Sequence, residues 1–167
     1  KEKDPNVLAF AFVTEFPLFE TTADQPISPS HHPFTAPYEQ DIPLLEKDPM
    51  KVRSYQHDLV CNGLEVGGGS IRIASPNIQR KIFEILGYKK SDIEEKFGHL
   101  LTAFTYGVPP HGGIAPGIER LLMVATGEEN TREVTAFPMN SSGQTSVMDA
   151  PGKVDPKILK ELKIKVQ

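Results

Sequence analysis

"LVCNGLEVGGGSIRI", residues Leu59 to Ile73, decides how this chain is read. Asn62-Gly63 between two runs rich in Val, Leu and Ile is the strongest short signal for a two-residue hairpin turn. Three glycines, Gly67 to Gly69, then interrupt the second run, although glycine loses the most backbone entropy on ordering and packs no side chain. With a two-residue turn, Cys61 faces Leu64, Val60 faces Glu65, Leu59 faces Val66 and Asp58 faces Gly67. Direct partners share a sheet face, so Asp58, Val60, Glu65 and Gly67 point one way. Leu59, Cys61, Leu64 and Val66 point the other way, and that apolar face packs.

The first face sets two carboxylates diagonally, about 7–8 Å apart at Cα. Both reach one hydrated divalent cation, and magnesium favours one or two carboxylates plus substrate phosphates. The glycines let a flat ligand lie against the backbone; a solvated sheet face with a glycine bulge has the same pattern. Arg72 lies an odd seven positions after Glu65, so strict alternation puts the two on opposite faces. A bulge within Gly67 to Gly69 would return Arg72 to the carboxylate face, where its planar fork suits a carboxylate ligand.

Outward from the hairpin, Tyr55 to Cys61 and Leu64 to Ile73 are expected as strands, and Val7 to Phe19 as a buried strand that opens the chain abruptly, as in a fragment. Between them, residues 21–50 are dense in Pro and polar residues and read as a long binding loop, lid or linker. This segment holds His31-His32. Adjacent histidines are poor zinc co-ligands without partners, and no Cys or His cluster supports a metal site. Such a pair is either incidental or contacts a polar substrate.

Downstream, Ser75-Pro76 is a helix start, with an apolar stripe at Ile78, Ile82, Phe83, Ile85 and Leu86 closed by Gly87. Ser91-x-x-Glu94 reads as a capping box for a second helix carrying Ile93, Phe97, Leu100, Leu101 and Phe104. "HGGIAPGIER" has small residues at Gly113, Ala115 and Gly117, leaving one strand face open, and then Arg120 in the first turn of a helix closed by Gly127. A helix N-terminus with a permanent charge beside it suits an anion; a close strand–helix crossing with a solvated Arg120 reads the same. "REVTAFPM" is expected as a short strand, and Pro156 to Val166 as a short helix with a last strand. With no internal repeat and no regular βαβ alternation, the fold class is α+β, an antiparallel sheet flanked by helices.

Bulk properties narrow the function. A chain of 167 residues suffices for one domain with a real core. A net charge of −4 provides no global attraction for nucleic acid. No apolar run reaches the roughly 18–20 residues of a membrane span, and "KEKDPNVL" is unlike a signal peptide. The single cysteine, Cys61, excludes an internal disulfide and fits a reducing, cytoplasmic setting.

"EFPLFE", "SPSHHPFTAP", "DLVCNGLEVGGGSIRI", "YGVPPHGGIAPGIERLLM" and "REVTAFP" together resemble the aspartyl-tRNA synthetases of class II, bacterial or organellar type. The resemblance runs from about Val13 to Pro138 and extends to the tail "MDAPGKV…LKELKI". It implies the class II catalytic fold and ATP-dependent activation of L-aspartate to aspartyl-adenylate, followed by transfer to the 3′ end of tRNA(Asp). It also implies a homodimer in the full-length enzyme and a bacterial cytoplasmic, or organellar, location. Under it, Arg72 holds the aspartate side-chain carboxylate, and His31 and His32 belong to the loop over the amino acid. Asp58 and Glu65 sit with Mg²⁺ and ATP. Gly117, Ile118, Glu119 and Arg120 form the third class II motif, with Arg120 on the γ-phosphate. Two residues depart from the family pattern: Glu119 where Asp is common, and Met139 where Lys is common. Class II motifs 1 and 2 and the anticodon-binding barrel have no counterpart in residues 1–167, so the expectation is the C-terminal part of a catalytic domain, inactive alone. A non-catalytic nucleotide- or amino-acid-binding module from such an enzyme, or an α+β interaction domain, fits the same residues.

Overall fold

The computed structural model describes residues 7–145 and 147–166. Its elements in chain order are β1 (Phe10–Val13), β2 (Phe19–Glu20), β3 (Ser28–Pro29), α1 (Leu44–Lys47), β4 (Gln56–Cys61), β5 (Leu64–Ile71), α2 (Pro76–Ile85), α3 (Lys90–Thr105), β6 (Gly112–Pro116), α4 (Ile118–Thr126) and α5 (Pro156–Glu161). Four strands form one antiparallel sheet in the order β1-β4-β5-β6, and β2 and β3 form a separate two-stranded ladder. The α+β class expected from the sequence is the one observed.

The β4–β5 hairpin turns at Asn62 (φ 51°) and Gly63 (φ 87°), both left-handed, the conformation that matches the twist of the flanking strands. Asn62 also clasps the chain ahead of β1. Its Oδ1 accepts from Ala9 N at 2.9 Å, and its Nδ2 donates to Val7 O at 3.1 Å. Pairing follows expectation for Cys61↔Leu64 and Val60↔Glu65 and then slips, with Leu59 opposite Gly67 and Asp58 opposite Gly68. The extra residue is Val66. The bulge therefore precedes the glycine run instead of lying within it, because Val66 fills a fully buried site that no glycine could fill.

The core takes in part of the segment read as a loop, through Leu45 and through Ile27, Ala36, Ile42 and Leu44 packed against the cluster. Leu18, Phe19, Leu45, Val52, Ile73 and Ile82 form one buried cluster, drawing three of its members from β2, α1 and the turn before β4. Residues 21–50 are thus no free linker. A second cluster joins α2 to α3 through Phe83, Ile93 and Leu101, with Phe34, Tyr88 and Phe97 packed on it. The Phe83 and Phe97 rings stack at 4.3 Å between centroids. Burying side chains of this size contributes about 1.5–3 kcal/mol each.

Four other expectations are corrected. The first strand is short and exposed, with Phe10 at 53% and Phe12 at 64% exposure, because β1 is a sheet edge that no described residue covers. The capping box at Ser91 does not form: α3 starts two residues earlier, after Lys89, and Ser91 Oγ donates to Asp92 instead. "REVTAFPM" makes a 3₁₀ turn at Thr131–Glu133, with Asn130 accepting from Arg132 N and Thr135 Oγ1 donating to Thr131 O. Those local side-chain bonds satisfy backbone groups that a strand would need. After α5, residues 162–166 form no strand. The Ser75 cap of α2 and the left-handed Gly127 closing α4 are as read.

Candidate functional site

The middle strand β5 is the floor of the site, with β4 along one edge and β6 along the other. Gly68 sits opposite Asp58 on β4 and Ala115 on β6; Ser70 sits opposite Gln56 and Gly113. A methyl group at Gly68 would stand 3.0 Å from Glu65 Oε1 and 3.3 Å from Asp58 Oδ1. Both carboxylates therefore lean over the bare backbone of Gly68. Gly69 has the opposite reason: its methyl would meet the Gly113 carbonyl oxygen at 2.0 Å and Ile114 Cα at 2.8 Å. One glycine clears the ligand face and the next lets β6 approach.

The bulge at Val66 restores the parity that the sequence left in question. Glu65, Gly68, Ser70 and Arg72 now share a face with Asp58. Arg72 is pinned through its backbone, its N–H donating to His111 O at 2.9 Å. At the other end of the face, Arg120 Nη1 donates to the Glu65 carbonyl at 2.8 Å and to Glu65 Oε2 at 3.0 Å. The Gly117 N–H donates to Val66 O at 2.8 Å, which docks the start of α4 on the bulge itself. Glu119 lies in the first turn of α4 and Ile118 is 68% exposed, and no side chain caps that end.

The histidine segment is fastened, not a free lid. Ala36 N donates to Ile71 O, Ile73 N to Phe34 O, and Gln79 Nε2 to Pro33 O, at 2.8–3.0 Å. These bonds place His32 beside Arg72, whose guanidinium donates to the His32 ring. The His31 ring lies against that of His32, with centroids 4.3 Å apart. Burial first, then the Arg72 charge and the neighbouring His31, push the His32 ring down to about 4, so it is neutral at neutral pH. His31, His32, Gly68, Gly69, Arg72 and His111 line a cavity of about 370 Å³ with the β6 residues Gly112 to Ala115.

All nine residues singled out from the sequence thus lie along one sheet face and its rim, in two groups. Arg72 and the histidines form one; Asp58, Glu65 and Arg120, with the Gly117–Glu119 turn, form the other. Sequence reading missed Ser70, Thr35 and His111. Ser70 and Thr35 are each 1% exposed beside His32, and their signal was only that polar residues occupy apolar surroundings. Asp58 and Glu65 offer two hard oxygen donors on either side of Gly68, a set that suits Mg²⁺ provided phosphates and water complete its shell. Among the described residues no cluster of three or more His, Cys, Asp or Glu could hold a metal by itself, and no helix is long and apolar enough to cross a membrane.

Comparison with known proteins gives the family. Residues 1–141 match the family model for class II tRNA synthetases (D, K and N). An aspartate–tRNA(Asp/Asn) ligase of Dehalococcoides mccartyi (strain CBDB1) is 52% identical over 165 residues, covering 98% of this chain and 28% of that protein. One of Rubrobacter xylanophilus is 51% identical over 162 residues, covering 96% of this chain and 27% of its own length. The chain therefore spans little more than a quarter of these curated relatives. The solved aspartyl-tRNA synthetase of Entamoeba histolytica superposes with a TM-score of 0.58 at 26% identity, covering 80% of this chain and 23% of that one. An asparaginyl-tRNA synthetase of Pyrococcus horikoshii shares the fold, with a TM-score of 0.57 at 21% identity, covering 80% of this chain and 27% of that one. With the family model spanning most of its residues and the glycine-floored sheet face in place, the chain belongs to the class II tRNA synthetases of the D, K and N group.

Proposed function

We propose that this chain is the C-terminal part of the catalytic domain of an aspartate–tRNA ligase, and that its sheet face binds L-aspartate and ATP. The observation that carries the reading is the single face shared by Asp58, Glu65, Gly68 and Arg72, with a cation at each end and a bare glycine between. Aspartate fits the Arg72 end, where the planar guanidinium matches a side-chain carboxylate. ATP fits the Glu65 end: Arg120 and the start of α4 face the phosphates, and Asp58 and Glu65 would hold Mg²⁺, which supplies neutralisation of phosphate charge.

In the first step an aspartate α-carboxylate oxygen forms a bond to the α-phosphorus of ATP, and pyrophosphate departs with the electrons of the broken P–O bond. A ribose hydroxyl at the 3′ end of tRNA(Asp) then attacks the acyl carbon, the bond from that carbon to the phosphate oxygen breaks, and AMP leaves with its phosphate taking the hydroxyl proton. Neither step requires a protein base; positioning and charge stabilisation carry them. For this chain's residues the work is to orient. Arg72 fixes the side chain of aspartate, and the Gly68 backbone brings the adenylate flat against the sheet. Arg120, released from Glu65 by the incoming phosphates, holds the far end of ATP. The homodimer and the reducing, cytoplasmic setting form part of the same proposal. The test is amino-acid-dependent ATP–pyrophosphate exchange by the full-length polypeptide containing this segment. Aspartate should drive exchange, and asparagine and lysine should not; exchange driven by either of those two, or by none, overturns the reading.

A further inference from the structure

We propose that Gln79 of α2 is the positioning residue for the histidine pair, holding His31 and His32 at the Arg72 end of the cavity through a bond to the backbone just after them. This rests on the reading that the cavity takes aspartate. Gln79 Nε2 donates to Pro33 O at 2.8 Å, although the two residues are 46 positions apart. A carbonyl oxygen can only accept, so the side-chain amide has one orientation, with its nitrogen toward Pro33 and its oxygen away. On the other side of the pair, Ser30 N donates to Leu18 O at 3.1 Å. These two bonds bracket the histidines between fixed backbone points. Proline has no N–H, so its carbonyl is the one backbone group by which residue 33 can be held.

Arg72 and Gln79 belong to the same strand–helix corner. The chain leaves β5 through Arg72, and Ser75 then caps α2, its side chain accepting from Ile78 N. Gln79 N donates to Ser75 O at 3.0 Å, one turn into the helix. Ile73, between strand and cap, is 2% exposed and anchors the corner in the core. One rigid piece thus carries the guanidinium on one arm and the amide that grips the histidine segment on the other. The spacing between arginine and histidines is set by that corner, not by the loop. Gln79 is also a poor device for stability alone. It is 0% exposed, and among the described residues its Oε1 is buried without a hydrogen-bond partner. An amide oxygen left unpaired in the interior offsets what the bond at the other end of the group gains. What remains is the direction of the Pro33 carbonyl, and with it the placement of the two rings.

The experiment replaces Gln79→Met in the full-length enzyme and follows exchange kinetics with aspartate and ATP varied in turn. Methionine keeps the length of the side chain and removes both the donor and the unpaired oxygen. Losing one uncharged hydrogen bond corresponds to about a three- to ten-fold effect. Gln79→Met should raise the KM for aspartate by that factor, leave the KM for ATP within about two-fold, and leave the thermal midpoint within about 2–4 °C of the parent. Added to His31→Ala and His32→Ala together, it should raise the aspartate KM no further, because residues acting as one unit are not additive. An unchanged aspartate KM, equal changes in both KM values, a larger fall in the midpoint, or full additivity with the histidine replacements would each overturn the proposal. Absence of aspartate-dependent exchange in the unmutated enzyme would instead overturn the functional reading on which it rests, so the two failures are distinct.

Discussion

Arg72 and Arg120 bring the same charge to one sheet face by different routes, and the difference predicts how each fails. Arg72 is set by its backbone bond to His111 and by the His32 ring, so its two-point fork is already aimed. Arg120 is half exposed and spends its donors on Glu65, so it has to change partners when phosphates arrive. In the full-length enzyme, Arg72→Lys should lower kcat/KM for aspartate by about ten- to hundred-fold and affect ATP use far less, since lysine keeps the charge and loses the planar fork. Arg120→Ala should show the reverse pattern. Exchange kinetics with each substrate varied in turn measures both, and equal effects on both substrates would refute the division of roles. The residue types at this scale were legible: Asp58, Glu65, Arg72 and Arg120 announced themselves as charges in apolar, glycine-rich surroundings. Ser70 and Thr35 did not, because a small hydroxyl acquires meaning only from the ring it surrounds.

At the scale of the element, consecutive glycines of β5 serve opposite masters. A methyl at Gly68 meets only the ends of two flexible carboxylates, which can swing aside. A methyl at Gly69 meets the β6 backbone well inside contact distance. Gly68→Ala should therefore leave the thermal midpoint within about 2–4 °C of the parent, a change of under about 1 kcal/mol, and abolish most exchange activity by filling the ligand face. Gly69→Ala should cost about 3 kcal/mol or more by prying β6 from β5. Calorimetry and exchange assays on the two variants separate the cases; equal loss of stability would show that the two positions are alike. The hairpin, α2 and α4 were readable because their turn and cap residues act within a few positions of themselves. The bulge at Val66 was misplaced by a residue, since its location depends on what is buried beneath the sheet, and "REVTAFPM" misled because apolar alternation is indifferent to whether a partner strand exists.

The whole molecule offers a complete floor with open surroundings. Phe10, Phe12 and Val13 on the edge strand are each more than 40% exposed, and so are Ile118 and Leu122 of α4. The 167-residue chain alone should catalyse little or no aspartate-dependent exchange, because by family resemblance the arginine that grips the α-phosphate belongs to a motif without a counterpart here; robust exchange by the purified chain would overturn this. The sheet order has another outcome, in time instead of space. β5 meets β4 across a two-residue turn, whereas β1 meets β4 only after the chain has travelled the whole segment from 14 to 55. Closing that long loop costs more chain entropy than closing the turn. The hairpin should therefore form early and β1 dock late, with Asn62 waiting as the latch that receives Ala9 and Val7. In pulse-labelling hydrogen exchange during refolding, amides of β4 and β5 facing each other should gain protection before those of β1, and Gly63→Ala should slow folding while Phe12→Ala mainly speeds unfolding. Simultaneous protection of all three strands would contradict this order. The strand that comes first in the sequence is then the last to arrive.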